Sequence, residues 1–402
     1  MKYETDVCIA GAGPAGMVLG LLLAKLGIRV LVLEHHPDFH REYRGEVLMP
    51  RFTQAMRQIG LFEYLEKFPH LKLTELEGLY NGKTILRIGF EEIAPEAPFA
   101  LWMPQLVLLQ ALFEKAKTYP GFELWFGARA ENLIREGGRV AGVTAHRENE
   151  TIEVRAKVTV GADGRFSVIR KRGNFELQDE DHHFDIVWFT IPKPKDYDNR
   201  FRFFLSSERN SLALPKYPDS IQCGVVIPKD EFPKYIHRGI DSFRQVLLKG
   251  PAIYQDFARS LKDFSPFNML QAKLEYVKSW AKDGVLLVGD SAHTCSPAGA
   301  IGVSVAVASA IVAADVIRNC FEKNDFSAKA LGCLQEIREQ EVLHLQARQK
   351  AFTRILLLDS GWKKILLPAA LFLISRLGLF RKLQRDLLVM KEPLPLKAGL
   401  RL

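Results

Sequence analysis

Asp6-Val7-Cys8-Ile9-Ala10 runs directly into Gly11-Ala12-Gly13-Pro14-Ala15-Gly16, and a helix-forming apolar stretch follows as far as Gly27. No other feature constrains the fold as much. An unbroken apolar run bounded by glycine is a strand buried on both faces, as in a parallel sheet covered by helices. The spacing predicts a strand over Asp6 to Ala10, a helix over Pro14 to Leu26 and a second strand over Arg29 to Leu33. Each glycine has a task in such a βαβ unit. Gly11 permits the tight turn, Gly13 lets backbone approach a pyrophosphate, and Gly16 lets the helix pack closely on the strand. Pro14 and Ala15 open the helix whose N–H groups would face that anion. Glu34 ends the second strand, where an acid about 20 residues on accepts hydrogen bonds from a ribose diol. Its charge repels a 2′-phosphate, so the turn suits FAD or NAD rather than NADP.

Two further strand ends carry carboxylates. Val285 to Val288 leads into Gly289-Asp290, and a Pro297-Ala298-Gly299 turn precedes a small-residue helix from about Gly302 to Ala314. This places a carboxylate at a strand's C-terminal end and helix N–H groups, beginning at Gly302 and Val303, a few residues later. Such a site suits a ligand with hydroxyls and an anionic or electron-rich end. The third segment, Gly161-Ala162-Asp163-Gly164-Arg165, follows a strand ending at Val160. A strand-end aspartate in a glycine turn holds a ligand hydroxyl or closes an Asx-turn, and alone the turn is the expectation.

The rest of the chain reads as two textures. Met49 to Ile59 and Pro104 to Ala116 have helical spacing, Leu73 to Phe90 forms a hairpin region turning at Asn81-Gly82, and four strand signals lie between Phe122 and Val160. From about Phe184, alternating aromatic-rich strands appear, with Phe201 and Phe203 interleaved by Arg200 and Arg202 as in a half-buried sheet. The expected fold is α/β: a Rossmann-like domain, discontinuous over 1–72, 98–180 and 265–350, interrupted by a mostly antiparallel sheet domain at 73–97 and 181–264, with a C-terminal helical segment at 351–402. Phe201, Phe203 and Tyr217 would wall an apolar pocket on that sheet, or simply form its core. Ile365 to Ile374 is too short for a membrane span and is broken by Pro368. With Arg376, Arg381, Lys382 and Arg385 behind it, the tail either touches a membrane surface peripherally or packs on the core, and packing is the expectation.

Composition excludes several classes. The net charge of +8 is spread along the chain without an arginine-rich arm or zinc-finger spacing, which argues against nucleic acid. Five cysteines without CxxC spacing argue against a structural metal or disulfide framework and suit a reducing cytoplasm. His293 is read as a packing residue rather than a base, and a Cys295–His293 dyad is not expected.

Taken together, the three segments resemble the single-component FAD-dependent aromatic hydroxylases, the group of para-hydroxybenzoate hydroxylase and the ubiquinone-biosynthesis hydroxylases. Gly11 to Gly16, Gly161 to Arg165 and Gly289 to Gly302 look like their three fingerprints, and Tyr43-Arg44-Gly45-Glu46 and Met103-Pro104-Gln105 look like their flavin-contacting stretches. The resemblance spans about residues 1 to 350. It implies that Gly11, Gly13 and Gly16 cradle the FAD pyrophosphate and Glu34 binds the adenosine ribose. Arg44 and Gln105 would approach the pyrophosphate and ribityl region, with Ala130 near the adenine. Asp163 would support FAD and a transient NADPH or NADH, Asp290 would bind FAD hydroxyls, and Pro297 would lie beside the isoalloxazine. The helix N-terminus near Gly302 would face the flavin's anionic edge.

The activity implied is NAD(P)H- and O2-dependent hydroxylation of an apolar aromatic, polyketide or quinone-like small molecule through a C4a-hydroperoxyflavin. The flavin carries the chemistry, so no protein acid or base is assigned as catalytic. Ala300, Ile301, Ser304 and Ser309 depart from the family pattern in the last fingerprint. Alternatives within the fold are an FAD-dependent reductase or a halogenase. Val187 and Phe189 stand where such halogenases carry tryptophans ahead of Ile191-Pro192. A non-catalytic FAD-binding module is the third.

Overall fold

The computed structural model describes residues 1–40, 46–180, 183–206, 209–356, 379–397 and 399–402. Its main sheet has eight strands. Along its principal path they run Ala281–Lys282, Val285–Leu287, Glu150–Gly161, Lys2–Ala10, Val30–Leu33 and Phe122–Trp125, with Arg139–Arg147 and Arg129–Glu136 branching off Glu150–Gly161. The five strands from Val285–Leu287 to Phe122–Trp125 are parallel, and their register is what assembles the site. Ala10 pairs with both Gly161 and Leu33, and Gly161 pairs with Leu287. Four carboxyl ends therefore finish level, and the loops after them leave one edge of the sheet together. Segments that lie far apart in the chain converge there, where open α/β sheets form their ligand crevice.

The helices Pro14–Lys25 and Gly302–Lys323 pack on each other against this sheet. The second is longer than the expected Gly302 to Ala314, because its next stop signal is Asn324 in a left-handed conformation, φ +49. It is long and apolar enough to cross a membrane, but 83% of its apolar window is buried inside the protein, so it is a core helix here. Val285 to Val288 is one residue shorter as a strand than expected, and Gly289–Ser291 winds a single 3-10 turn.

A second sheet of seven strands runs Asn268–Gln271, Phe184–Pro192, Ser220–Pro228, Ser211–Lys216, Arg200–Leu205, Glu75–Tyr80 and Lys83–Gly89. All neighbours are antiparallel except Arg200–Leu205 beside Glu75–Tyr80. Strand alternation divides its two faces. Val187, Phe189, Cys223 and Val225 enter a core with Phe232, Phe243, Tyr254 and Phe267. Ile186, Trp188, Gln222 and Val226 face the opposite way, toward a cavity shared with the main sheet.

The tail is laced to the core. The helix Pro50–Gln58 presents Arg51, Gln54 and Gln58 on one face. Arg51 donates to the carbonyls of Leu387 and Val389, Gln54 accepts from Met390 N–H, and Gln58 both accepts from and donates to Leu394. Leu387, Leu388, Leu394 and Leu400 are buried in the main core. The apolar run Ile365 to Ile374 lies outside the described residues. A three-stranded sheet of Leu177–Glu180, Leu274–Val277 and His293–Thr294 has no counterpart in the sequence reading, since strands this short carry too little periodicity to register.

Candidate functional site

The glycine turn is built as its residues require. Gly11 N–H donates to Leu33 O at 2.8 Å and holds φ +102. A Cβ on Gly11 would lie 2.5 Å from Ala162 O, and one on Gly16 would lie 2.0 Å from Gly11 O. Gly13 differs: nothing lies within 4 Å of where its Cβ would be. The chain is bare of side chain there and open, which is a cradle rather than a packing contact. No side chain caps the following helix, so its first N–H groups face that opening.

Glu34 is fixed beneath the turn. Its carboxylate accepts the N–H groups of Ala12 and His36, each at 3.0 Å, and it is 3% exposed. Asp163 has a different set of partners: Ser167 Oγ, Val168 N–H at 2.6 Å, Ile169 N–H at 3.2 Å and Ser291 Oγ at 3.1 Å. It accepts the first N–H groups of the helix Val168–Arg172, whose N-cap is Ser167, and ties the Asp-Gly segment to the Gly-Asp segment. Its bonds reach Ser167, Val168 and Ile169 rather than the N–H of Arg165, so it fastens the following helix and not the Asx-turn expected from the residues alone.

A cavity of ≈ 350 Å³ lies between the two sheets. Gly13, Pro14, Ala15, Gln105, Asp290, Pro297, Gly299, Gly302 and Val303 line it on one side, and Phe201 and Phe203 on the other. Gly11, Gly16, Glu34, Ala130, Asp163 and Gly289 are not in its lining; Ala130 is 8% exposed in a strand opposite Ala145. Gly289 serves packing instead, at φ +64 with its Cβ position 3.1 Å from Ala306 and 3.3 Å from Ala15. The structure does not bring Tyr217 to the cavity: it stands 38% exposed beyond the end of Ser211–Lys216, because the strand stops before it. Arg44 lies outside the described residues.

The electrostatics of the cavity wall are specific. Burial pushes the Asp290 carboxyl up to about 6, with Glu275 adding to the rise and Arg165 opposing it. No side chain caps the helix starting at Gly302 and no acid sits in its first turn, so its N-terminal end presents uncompensated positive potential to the cavity. His293 is held neutral: burial, then the charge of Arg338, lowers it to about 3. Its Nε2 lies 3.0 Å from Ser309 Oγ and its ring packs on Trp280. Cys295 lines the cavity but burial raises its thiol to about 12, so it is no thiolate nucleophile. Glu46 was missed as a site residue. It accepts the N–H of Gln105 at 3.2 Å and so orients the helix that brings Gln105 to the cavity. Its signal, an acid inside the Tyr43 to Glu46 stretch, was visible but carried no pattern of its own.

These residues fit FAD. The open turn at Gly13 can take a pyrophosphate, Asp290 can accept ligand hydroxyls, and the bare helix end at Gly302 can stabilise an anionic ring edge.

The comparisons with known proteins agree. The family model described as FAD binding domain matches residues 4–318. The chain belongs to this FAD binding domain family. Among curated proteins, 6-methylpretetramide 4-monooxygenase from Streptomyces rimosus is 29% identical over 403 residues, covering 99% of this chain and 95% of its own. Among solved structures, p-nitrophenol 4-monooxygenase PnpA from Pseudomonas putida DLL-E4 has a TM-score of 0.80 at 18% identity, covering 96% of this chain and 97% of that one. PqsL from P. aeruginosa in complex with 2-aminobenzoylacetate has a TM-score of 0.77 at 20% identity, covering 91% and 99%. At these identities the two structures establish the shared fold. The chain is a flavin-dependent oxidoreductase, a monooxygenase.

Proposed function

We propose that this FAD-dependent monooxygenase takes its electrons from NADPH or NADH and hydroxylates an apolar, planar aromatic or quinone-like molecule. One observation carries this: the cavity joins the cofactor-type wall of Gly13, Asp290 and Gly302 to a sheet face of Phe201, Phe203, Ile186 and Leu214. A reactive group and an oily substrate can meet there with little water between them. Bound FAD would supply the activation of dioxygen and the delivery of one oxygen atom. The chain's own residues would do the rest. Gly11, Gly13 and Gly16 would shape the pyrophosphate cradle, Glu34 and Asp290 would accept ribose and ribityl hydroxyls, Gln105 would approach the pyrophosphate and ribityl region, and Pro297 would lie beside the ring system. Gly302 and Val303 would offer it the uncapped N–H groups of their helix and so stabilise negative charge on it. Phe201 and Phe203 hold the substrate and exclude water.

Halogenation is disfavoured because Val187 and Phe189 turn into the second core, away from the cavity. We divide the chain as its sequence suggests, with FAD held by 1–72, 98–180 and 265–350 and substrate by 73–97 and 181–264, save that the strand Asn268–Gln271 joins the substrate-side sheet. We infer a cytoplasmic enzyme, for which five unpaired cysteines are the support. The test is oxygen uptake by the FAD-loaded protein with NADPH, in the presence of polycyclic phenols. Uptake matched by hydroxylated product supports the proposal; uptake that yields only hydrogen peroxide with every phenol contradicts it.

Asp290 gives a prediction with a defined sign. In the ligand-free protein its pKa is raised, so its ionised form costs stability above about pH 6, and the cost disappears as pH falls toward 3.8. Asp290→Asn is therefore expected to stabilise the ligand-free protein at pH 8 and to lose that advantage by pH 4. The same change should weaken FAD binding about tenfold or more, since a carboxylate acceptor for ligand hydroxyls is lost. Wild-type affinity for FAD should also fall as pH drops through 6, and the variant's should not. Denaturant titrations and FAD titrations across pH check both statements.

A further inference from the structure

The sheet face that walls the cavity is mostly apolar; Asn210 and Gln271 reach the lining from its more exposed edge, and Gln222 is the buried polar residue on it. Gln222 is 8% exposed, lies on the strand Ser220–Pro228 between Thr190 and Leu214, and lines the cavity. Among the described residues its carboxamide makes no hydrogen bond, unlike Gln346 and Gln349, whose buried amides are each bonded to backbone carbonyls. Strand alternation fixes its direction: Ile221 and Cys223 enter the second core, so Gln222 points to the opposite face. Gly224, two residues on, has no side chain to intervene. The Trp188 ring lies across it, with Cε3 and Cζ3 3.0 Å from where a Cβ would stand. The cavity therefore holds a flat aromatic surface with a bare amide beside it.

The amide faces the cavity without a protein partner, and a strand position among apolar neighbours would ordinarily carry leucine or valine. The two cations in the lining are already engaged, Lys273 Nζ with Glu275 at 3.1 Å and Arg165 with Gln271 O at 3.2 Å. We propose that Gln222 is the specificity-determining residue of the substrate site. Its carboxamide hydrogen-bonds a phenol hydroxyl or quinone carbonyl on an uncharged, planar substrate whose body lies against Trp188 and Phe203. This rests on the aromatic-substrate proposal above and adds the polar group that the substrate must carry. A site built around a hydrogen bond to a hydroxyl discriminates strongly against an analogue lacking it, because the amide is then left unpaired.

The test uses the FAD-loaded protein and two probes of matched size, 2-naphthol and 2-methylnaphthalene, with binding read from perturbation of the bound-flavin spectrum. Wild type should bind 2-naphthol more tightly. Gln222→Leu and the length-matched Gln222→Met should each weaken 2-naphthol about tenfold, in the range of one lost hydrogen bond. Both should bind 2-methylnaphthalene as well as wild type or better. Equal weakening of both probes, unchanged 2-naphthol binding, or loss of FAD in both variants would overturn the assignment. If wild type holds FAD and binds neither probe, the aromatic-substrate proposal itself fails and takes this one with it.

Discussion

Adding one methyl group at Gly16 is expected to leave the protein folded but unable to retain FAD. The Cβ would stand 2.0 Å from the carbonyl oxygen of Gly11, against a closest tolerated approach of 3.0 Å, so about 1 Å of movement is required. The obstructing atom is backbone, in the very turn that would cradle the pyrophosphate, and cannot rotate away as a flexible side chain would. Overpacking of this kind costs roughly 1–3 kcal/mol in a well-packed site. Here the movement falls on the ligand's own seat, so the loss should appear mainly as FAD affinity. Gly16→Ala protein should purify with less than about a tenth of the wild-type flavin content while keeping its far-ultraviolet circular dichroism. Gly27→Ala is the control. Unlike Gly16 it has a left-handed backbone, φ +79, but open space around it, so only conformational strain of about 1 kcal/mol is added and FAD should stay bound. Equal flavin content in Gly16→Ala and wild type would show that the turn does not hold the cofactor.

The second large effect is expected where the tail is fastened. Arg51 is 1% exposed, pairs with Glu341, and donates to Val389 O at 3.0 Å and Leu387 O at 3.4 Å. Arg51→Met leaves Glu341 paired with Arg338 but strips two tail carbonyls of their donor. An unsatisfied buried polar group costs roughly 1–3 kcal/mol, so a loss of about 2–4 kcal/mol in urea unfolding is expected. Arg338 is the informative contrast. It is 2% exposed, and among the described residues its Nε and one terminal nitrogen have no hydrogen-bond partner. Burial lowers its pKa despite the opposing pull of Glu341. Arg338→Met keeps the Arg51–Glu341 pair and removes an incompletely satisfied cation, so it should be neutral or stabilising. If Arg338→Met proves the more damaging of the two, this account of the buried charges is wrong.

The parts of this molecule that were legible in its sequence are those where one residue type has one physical use. The glycines of the first turn, the apolar strands ending in carboxylates and the alternation around Phe201 and Phe203 each specify a local geometry. Parallel pairing then brings the strand ends together without further information. Other features depended on partners that no local pattern names. Asp163 fastens the helix after it because Ser167, Val168 and Ser291 happen to surround it. Tyr217 was expected at the cavity from its aromatic character, but the strand before it ends too soon. Gln222 carries no motif at all. It becomes visible only when the faces of the second sheet are assigned and its amide is seen to face the cavity without a partner.

The central claim is that one flavin dinucleotide is held by the turn after the first strand and by the Gly289 to Gly302 segment together. The most direct measurement is the visible spectrum of the purified protein after incubation with FAD and gel filtration, for wild type, Gly16→Ala and Asp290→Ala. The account predicts a yellow wild-type protein with one FAD per chain and a marked loss of flavin in both variants, each altering a different end of the site. A wild-type protein that stays colourless, or variants that keep full flavin content, would contradict it.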